Sequence, residues 1–252
     1  MITPIEIKVN LDGDVAAALR RLRCSDTAAT ARDIWFAEPL RPGSPGAPTL
    51  LSSRIVIRLR SGAQDDLTVK LRPCHAAQLT GRWAAPFTEP GIRYRIESDW
   101  SGGRRMLSAS AISQRSPGSL RAAVAGGVDV TDTLNSAQRQ FLVSCTPPGV
   151  AVDHLRAMGP VASARWTGLP VGNQHADVER WAVAGLDLVE LSVKVTPRHG
   201  DSPVDLHLRA LDAQRALEEA LHALGITIAA GDTKTEQVLT ALAGAPSRLN
   251  WR

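Results

Sequence analysis

The amino-acid sequence predicts an α+β fold in which antiparallel strands close into a barrel, or tunnel, with helices packed on its outside. Two observations support this prediction. Segments in which apolar and polar residues alternate strictly recur along the chain, as is typical of strands that bury one face. Helix-like segments separate two groups of these strands, and a further helical segment follows the second group.

The first group of strands occupies the N-terminal part of the chain. A strand is predicted over "PIEIKVNL", where Ile5 and Ile7 share one face while Glu6 and Lys8 share the other, and a short helix follows it over "DGDVAAALRRLR". Another strand is predicted over "ARDIWFAEP", before a Pro/Gly/Ser loop at residues 40–49. Two hairpins are predicted over "RIVIRLRSGAQDDLTVKLRP" and "GIRYRIESDWSGGRRMLSASAI", and the segment between them is predicted to be irregular.

The middle of the chain predicts a helical insertion at roughly residues 116–160. Short helices are expected over "TLNSAQRQFLVSC" and "AVDHLRAMGP". Strands then return over "VASARWTGLP", "HADVERWAVAG" and "LDLVELSVKV". A long amphipathic helix follows and is expected to stop at Gly225, and one more helix would complete the C-terminal helices at roughly residues 205–243. We interpret residues 1–252 as one domain.

Composition excludes several classes of protein. The 44% hydrophobic content allows a real core, and the net charge of +4 is too small to indicate nucleic-acid binding. The three cysteines lie far apart and form no CxxC pair, which predicts reduced thiols and a cytoplasmic protein. No apolar run is long enough for a membrane span, and the six histidines form no zinc motif. The oligomeric state cannot be derived from these features.

The hairpin at residues 54–73 places four cations on one side, namely Arg58, Arg60, Lys70 and Arg72. A solvated outer face would explain one such hairpin, but other strands show the same parity. If the strands close into a barrel, this set points into the lumen, where confined positive charge requires an anion. A polyphosphate would fit, and carboxylates could hold Mg²⁺ or Mn²⁺ beside it. The expected luminal residues are Glu6, Lys8, Arg58, Arg60, Lys70, Arg72, Arg165, Glu190 and Lys194.

The segments "IEIKV", "RIVIRLR", "LTVKLR", "RW" and "LVELSVK", in this order over roughly residues 4–225, resemble the CYTH proteins, which are also called triphosphate tunnel metalloenzymes. The resemblance implies an eight-stranded antiparallel tunnel with a small triphosphate-containing substrate and a divalent metal ion. It also implies hydrolysis of that substrate or nucleotide cyclisation, of which we expect hydrolysis because the sequence indicates no base-recognition pocket.

The resemblance implies roles for individual residues. Substrate binding falls to Arg58, Arg60, Lys70, Arg72, Arg165 and Lys194. Lys8 would position the attacking water or polarise a phosphate oxygen, or would simply contact phosphate. Glu6 and Glu190 would bind the metal ion, or would instead form ion pairs with Lys8 or a tunnel arginine and with Lys194. Asp99 is interpreted as a turn residue.

The chain departs from the family pattern at the acidic positions. The first strand of CYTH proteins carries Glu-x-Glu-x-Lys, but Pro4 stands at the first of these positions, and Ser192 stands where many members have a second late acid. The second strand also lacks the family's tyrosine. These losses leave two hypotheses: a metal-dependent phosphohydrolase, or a weakened or inactive module that binds polyphosphate, nucleotide or another anion. A different anionic substrate or a protein partner is a third alternative.

Overall fold

A computed structural model describes residues 2–39 and 49–244 of the chain. Its strands agree closely with the alternating segments of the sequence. The predicted loop at residues 40–49 lies outside the described residues except for Thr49. The strands are β1 Ile5–Asp12, β2 Thr30–Pro39, β3 Ile55–Ser61, β4 Asp65–Leu71, β5 Phe87–Glu89, β6 Ile92–Ser101, β7 Arg104–Arg115, β8 Leu155–Val171, β9 Gln174–Val183, β10 Leu186–Val195 and β11 Thr227–Ile228.

Nine of these strands close into a barrel in the order β1-β10-β9-β8-β2-β3-β4-β7-β6. Neighbouring strands are antiparallel except at the closing pair, where β1 runs parallel to β6 with Glu6 opposite Asp99. The short strands β5 and β11 extend the sheet from β6 and β1. The prediction of a closed barrel is confirmed, but the number eight, which came from the family resemblance, is corrected to nine, as the alternating segments themselves indicate.

The strand alternation separates the outside of the barrel from its lumen. In β3, Ile55, Ile57 and Leu59 are fully buried in an apolar cluster outside the barrel, whereas Arg58 and Arg60 have the opposite parity and point inward. The hairpin of β3 and β4 therefore directs its cations into the lumen, and the wet outer face considered above is not observed.

Seven helices accompany the barrel in the described part of the chain. The longest of them begins at a capping box formed by Ser202 and Asp205 and ends before Gly225, which has a φ of 66°. No described helix is long and apolar enough to cross a membrane. The helices are α1 Val15–Arg21, α2 Thr49–Ser52, α3 Ser119–Ala125, α4 Val130–Thr133, α5 Ser136–Cys145, α6 Pro203–Ala223 and α7 Lys234–Gly244, with 3₁₀ turns at Cys24–Asp26, Ala76–Gln78 and Gly81–Ala84.

The predicted helix at residues 151–160 is wrong, because β8 begins at Leu155 and pairs with β2. The predicted insertion therefore ends earlier, with helices only as far as Cys145. A bulge opposite Trp35 absorbs Gly159 and Pro160, where a proline is tolerated because ladder pairing is interrupted. Pairing across the sheet has overridden the local helical pattern.

The last helix closes one end of the barrel. Val238 and Leu239 of α7 are at most 1% exposed, and they cluster with the luminal side chains of Ile34 and Trp181 and their neighbours on β2, β8 and β9. The apolar half of the lumen is thereby filled, and the polar half remains as a cavity.

Candidate functional site: the luminal cavity

The polar half of the lumen forms a cavity of about 220 Å³. Eight cationic and five carboxylate side chains line it, so the lining carries a formal charge of +3, and Asp99 and Asp66, which pair with four of these cations from behind the lining, reduce the formal charge of the site to +1. Such an excess of positive charge in a confined space favours an anionic ligand. The cations are Lys8, Arg58, Arg60, Lys70, Arg72, Arg95, Arg165 and Lys234, and the acids are Glu6, Glu97, Asp177, Glu179 and Glu190.

The structure brings together all but one of the residues that the sequence indicated. The exception is Lys194, whose side chain is 41% exposed and forms an ion pair with Glu97 at the edge of the barrel instead of lining the cavity. The predicted residues that line the cavity are Glu6, Lys8, Arg58, Arg60, Lys70, Arg72, Arg165 and Glu190.

Asp99 organises the cations at the wall between β1, β4 and β6. Its carboxylate is fully buried, and it lies 2.8 Å from the Lys70 ammonium, 3.0 Å from the Arg72 guanidinium and 3.4 Å from the Lys8 ammonium. The interpretation of Asp99 as a turn residue is wrong, because it lies within β6 and has the luminal parity of Arg95 and Glu97. That parity was visible in "RYRIESD" and could have identified it.

The pKa values at this wall reflect the charge pairing. Burial alone would raise the pKa of the Asp99 carboxyl, but Lys8, Lys70 and Arg72 outweigh it and hold this pKa far below its usual range. Burial would likewise lower the pKa of Lys8, but Asp99 and Glu6 raise it above its ordinary value. At Lys70 the balance is reversed, because burial lowers its pKa and Asp99 offsets this only in part. The pairing therefore favours the charged forms of Asp99 and Lys8, whereas Lys70 remains a cation that a further anionic partner would stabilise.

Arg58 differs from these cations because its charge is poorly compensated. Burial, and then the neighbouring Arg60, lower the pKa of its guanidinium to about 10. Within the described ranges, its buried Nε has no hydrogen-bond partner. A buried guanidinium with an unused donor is a site at which an anionic oxygen would be stabilised.

The end of the barrel opposite α7 is lined by arginines, which we call the arginine mouth: Arg32, Arg60, Arg93, Arg95 and Arg165. Carboxylates neutralise only part of this set, since Arg60 binds Asp66 at 2.9 Å and Arg165 binds Asp177 at 2.5 Å. Burial and then Arg60 lower the pKa of Arg32. Arg32, Arg93 and Arg95 were not predicted, although Arg93 and Arg95 alternate visibly in "IRYRIE".

Lys234 enters the cavity from the opposite end, at the start of α7. Its side chain is 3% exposed, and its Nζ lies 2.8 Å from Glu179 Oε2 and 3.6 Å from Glu190 Oε1. We call these three residues the lysine–glutamate cluster. Burial raises the pKa of the Glu179 carboxyl, but Lys234 outweighs this effect and holds the pKa well below its usual range. Lys234 was missed because nothing in its local sequence connects it with the strands.

The acids of the cavity do not fit a divalent ion held by the protein alone. Glu6 forms an ion pair with Lys8 at 2.9 Å, and Glu190 faces Lys234 rather than Lys194. Among the described residues, no three His, Cys, Asp or Glu side chains are grouped so that they could hold one ion. A metal role for Glu6 and Glu190 with Mg²⁺ or Mn²⁺ therefore stays a prediction.

The sequence matches no family model and no curated protein. Two solved structures are similar over nearly the whole chain. The Hippeastrum protein HpAC1, described as having a dominant triphosphatase activity, is 16% identical with a TM-score of 0.56, covering 92% of this chain and 93% of its own. A Bacillus halodurans protein provisionally assigned as an adenylate cyclase is 12% identical with a TM-score of 0.55, covering 94% and 98%.

These two likenesses concern the fold. At such low identity they carry no residue role or activity to this chain. The closed barrel and the match over nearly the full length of both structures show that this chain shares their fold. The chain thus has the closed-barrel fold of these two proteins, with helices packed outside the barrel.

Proposed function

We propose that the luminal cavity binds the triphosphate group of a small anionic ligand. The observation that supports this most directly is Arg58, a buried cation whose Nε has no partner among the described residues, in a cavity where Asp99 and Asp66 already compensate other cations but not this one. Burying uncompensated positive charge is costly, and phosphate oxygens would relieve the cost through charge-assisted hydrogen bonds.

In this proposal the cations around Asp99 form a preorganised wall for the anion. Asp99 fixes Lys8, Lys70 and Arg72 while using only part of their hydrogen-bond donors. These three side chains are 12–18% exposed, so each is accessible from the cavity. Because Asp99 holds these three side chains in position before the ligand binds, little side-chain entropy is lost on binding.

The ligand would enter through the arginine mouth. The opposite end is filled by Val238 and Leu239 of α7, which pack against luminal apolar side chains. Arginines at the entrance of a narrow cavity concentrate anions electrostatically and would accelerate association at low ionic strength. The part of the ligand that is not phosphate would then remain near this mouth.

Hydrolysis of the bound triphosphate is the second candidate. Glu6 favours it because its side chain lines the cavity, remains 28% exposed and lies beside Lys8, so an acid and a cation adjoin the expected phosphate position. The triphosphatase activity described for HpAC1 gives this candidate further support. Metal dependence, with Mg²⁺ or Mn²⁺, is part of this candidate and is decided by the same experiment.

The experiment measures thermal stabilisation and phosphate release with inorganic triphosphate, ATP and thiamine triphosphate, in EDTA and in Mg²⁺ or Mn²⁺. Stabilisation by triphosphates that disappears in Lys70→Met, but persists in the control Arg215→Met, which removes an exposed cation of α6 outside the cavity, supports binding in the cavity. Phosphate release lost in Glu6→Gln supports hydrolysis. Neither stabilisation nor release would reject both candidates.

A further inference from the structure

The lysine–glutamate cluster assigns a distinct position to Lys234. The other seven cations of the cavity belong to the barrel wall, whereas Lys234 reaches the lumen from the first turn of α7. Its ammonium lies between the carboxylates of two neighbouring strands, Glu179 on β9 and Glu190 directly opposite on β10. Two acids that face each other across a ladder repel unless a cation separates them.

Both oxygens of the Glu179 carboxylate already have a partner. Its Oε1 accepts a hydrogen bond from Ser163 Oγ at 3.0 Å, and its Oε2 accepts one from Lys234 Nζ at 2.8 Å. A metal ion that bound Glu179 would have to share these oxygens with the hydroxyl and the ammonium, or displace one of them. The Lys234 ammonium therefore already serves as the counter-ion of this pair of acids.

The remaining surroundings of the ammonium suit lysine better than a hydrated divalent ion. The Lys234 Nζ lies 4.1 Å from the centre of the Trp181 ring, which is a favourable distance for a cation–π contact. Trp181 is 1% exposed and presents an apolar face. Mg²⁺ retains several of its waters when it binds, and an aromatic face offers them no acceptor oxygen.

The helix that carries Lys234 is anchored at this position. Thr233 and Glu236 bind each other reciprocally at its start, with the Thr233 amide donating to the Glu236 carboxylate at 2.7 Å. Further along, Val238 and Leu239 are buried in the apolar half of the lumen. Withdrawing the ammonium would therefore require either an extended rotamer change in a closed space or the exposure of this apolar contact.

We propose that the Lys234 ammonium is the resident cation of the Glu179–Glu190 pair and takes the place that a divalent ion would otherwise occupy there. A corollary, which rests on the proposed function, is that this chain binds triphosphate while no metal ion is bound by Glu179 and Glu190. The ammonium is part of the chain, so this pair of acids does not require a divalent ion when phosphate binds.

The first test measures Mn²⁺ binding alone, by electron paramagnetic resonance of the free ion and by calorimetry, and needs no substrate. Lys234→Met should bind Mn²⁺ at least about tenfold more tightly than the wild type, because it leaves two buried carboxylates uncompensated. The gain should disappear in Lys234→Met combined with Glu190→Gln. Arg215→Met, which removes an exposed cation of α6 whose partner Asp212 is also exposed and outside the cavity, is the control and should leave Mn²⁺ binding unchanged.

If Lys234→Met does not fold, Glu190→Gln keeps the test available, because the proposal predicts that this change leaves Mn²⁺ binding of the wild type unaltered. A wild-type protein that binds one Mn²⁺ and loses it in Glu190→Gln, or a folded Lys234→Met that shows no gain, would overturn the proposal. The second test titrates tripolyphosphate in EDTA and in Mn²⁺: equal affinities for the wild type support the corollary, and an absolute requirement for Mn²⁺ rejects it. No binding of tripolyphosphate under either condition would reject the proposed function, while the Mn²⁺ result would still decide the role of Lys234.

Discussion

Replacing Asp99 with asparagine should destabilise the barrel strongly while leaving its shape intact. The amide is isosteric with the carboxylate, but it leaves Lys70, Arg72 and Lys8 facing each other without their shared counter-ion. Removing one partner from a buried ion pair costs about 3–5 kcal/mol of stability. Because these cations are 12–18% exposed and can relax toward the lumen, we expect the lower end of this range, about 3 kcal/mol.

The assay is equilibrium unfolding in urea, supported by thermal unfolding. For a chain of this size, about 3 kcal/mol corresponds to a fall of roughly 6–12 °C in Tm. The matched control is Asp187→Asn, which breaks an exposed pair with Arg180 whose side chains are 40% and 42% exposed and should cost at most about 1 kcal/mol. Tripolyphosphate should stabilise the Asp99 variant as well as the wild type, because the anion compensates the released cations. Equal stabilities for Asp99→Asn and Asp187→Asn would refute the reasoning.

Three further predictions concern stability. Because the pKa values of Asp99 and Glu179 are depressed on folding, their contribution to stability is complete above about pH 5, the upper limit set by their unfolded pKa values, and is lost progressively below it. A free energy of unfolding that stays constant from pH 5 to about pH 2 would contradict this. Leu239→Ala should cost about 2–5 kcal/mol in urea unfolding by leaving a cavity in the lumen, whereas a loss below about 1 kcal/mol would show that α7 does not pack there. Gly159→Ala should lower Tm, because a Cβ would lie 2.9 Å from the Ile34 carbonyl oxygen at a φ of 132°, and an unchanged Tm would argue against the bulge.

The strands and most of the residues that line the cavity could be predicted from the sequence. In a barrel, successive residues of a strand point alternately to the outside and into the lumen. An alternating strand has only two faces, and its aliphatic residues lie on the outer face, where they pack against the helices. Glu6, Arg58 and Lys70 therefore follow from their immediate neighbours. Lys194 has the same parity, but the prediction that it lines the cavity is wrong, because its position at the end of β10 brings it to the edge of the barrel.

What could not be predicted depends on contacts distant in sequence. Residues 155–160 have a helical pattern alone and become strand only because β2 pairs with them. Lys234 meets Glu179 across 55 positions through the docking of α7, which no local period records. Asp99 lies next to a Gly-Gly turn, and this position obscured the parity that places it in the wall.

The central claim is that the cationic lumen is an anion site, and the most direct measurement is calorimetric titration of tripolyphosphate into the wild type and into Arg58→Met. We predict one site in the wild type and an affinity lower by about tenfold or more in the variant, as expected for the loss of a charged hydrogen-bond donor. The variant should be at least as stable as the wild type, because Arg58 is a buried cation whose Nε has no partner in the described part of the chain. Equal affinities in the two proteins, or binding that survives in Arg58→Met but is lost when residues outside the lumen are changed, would contradict the account.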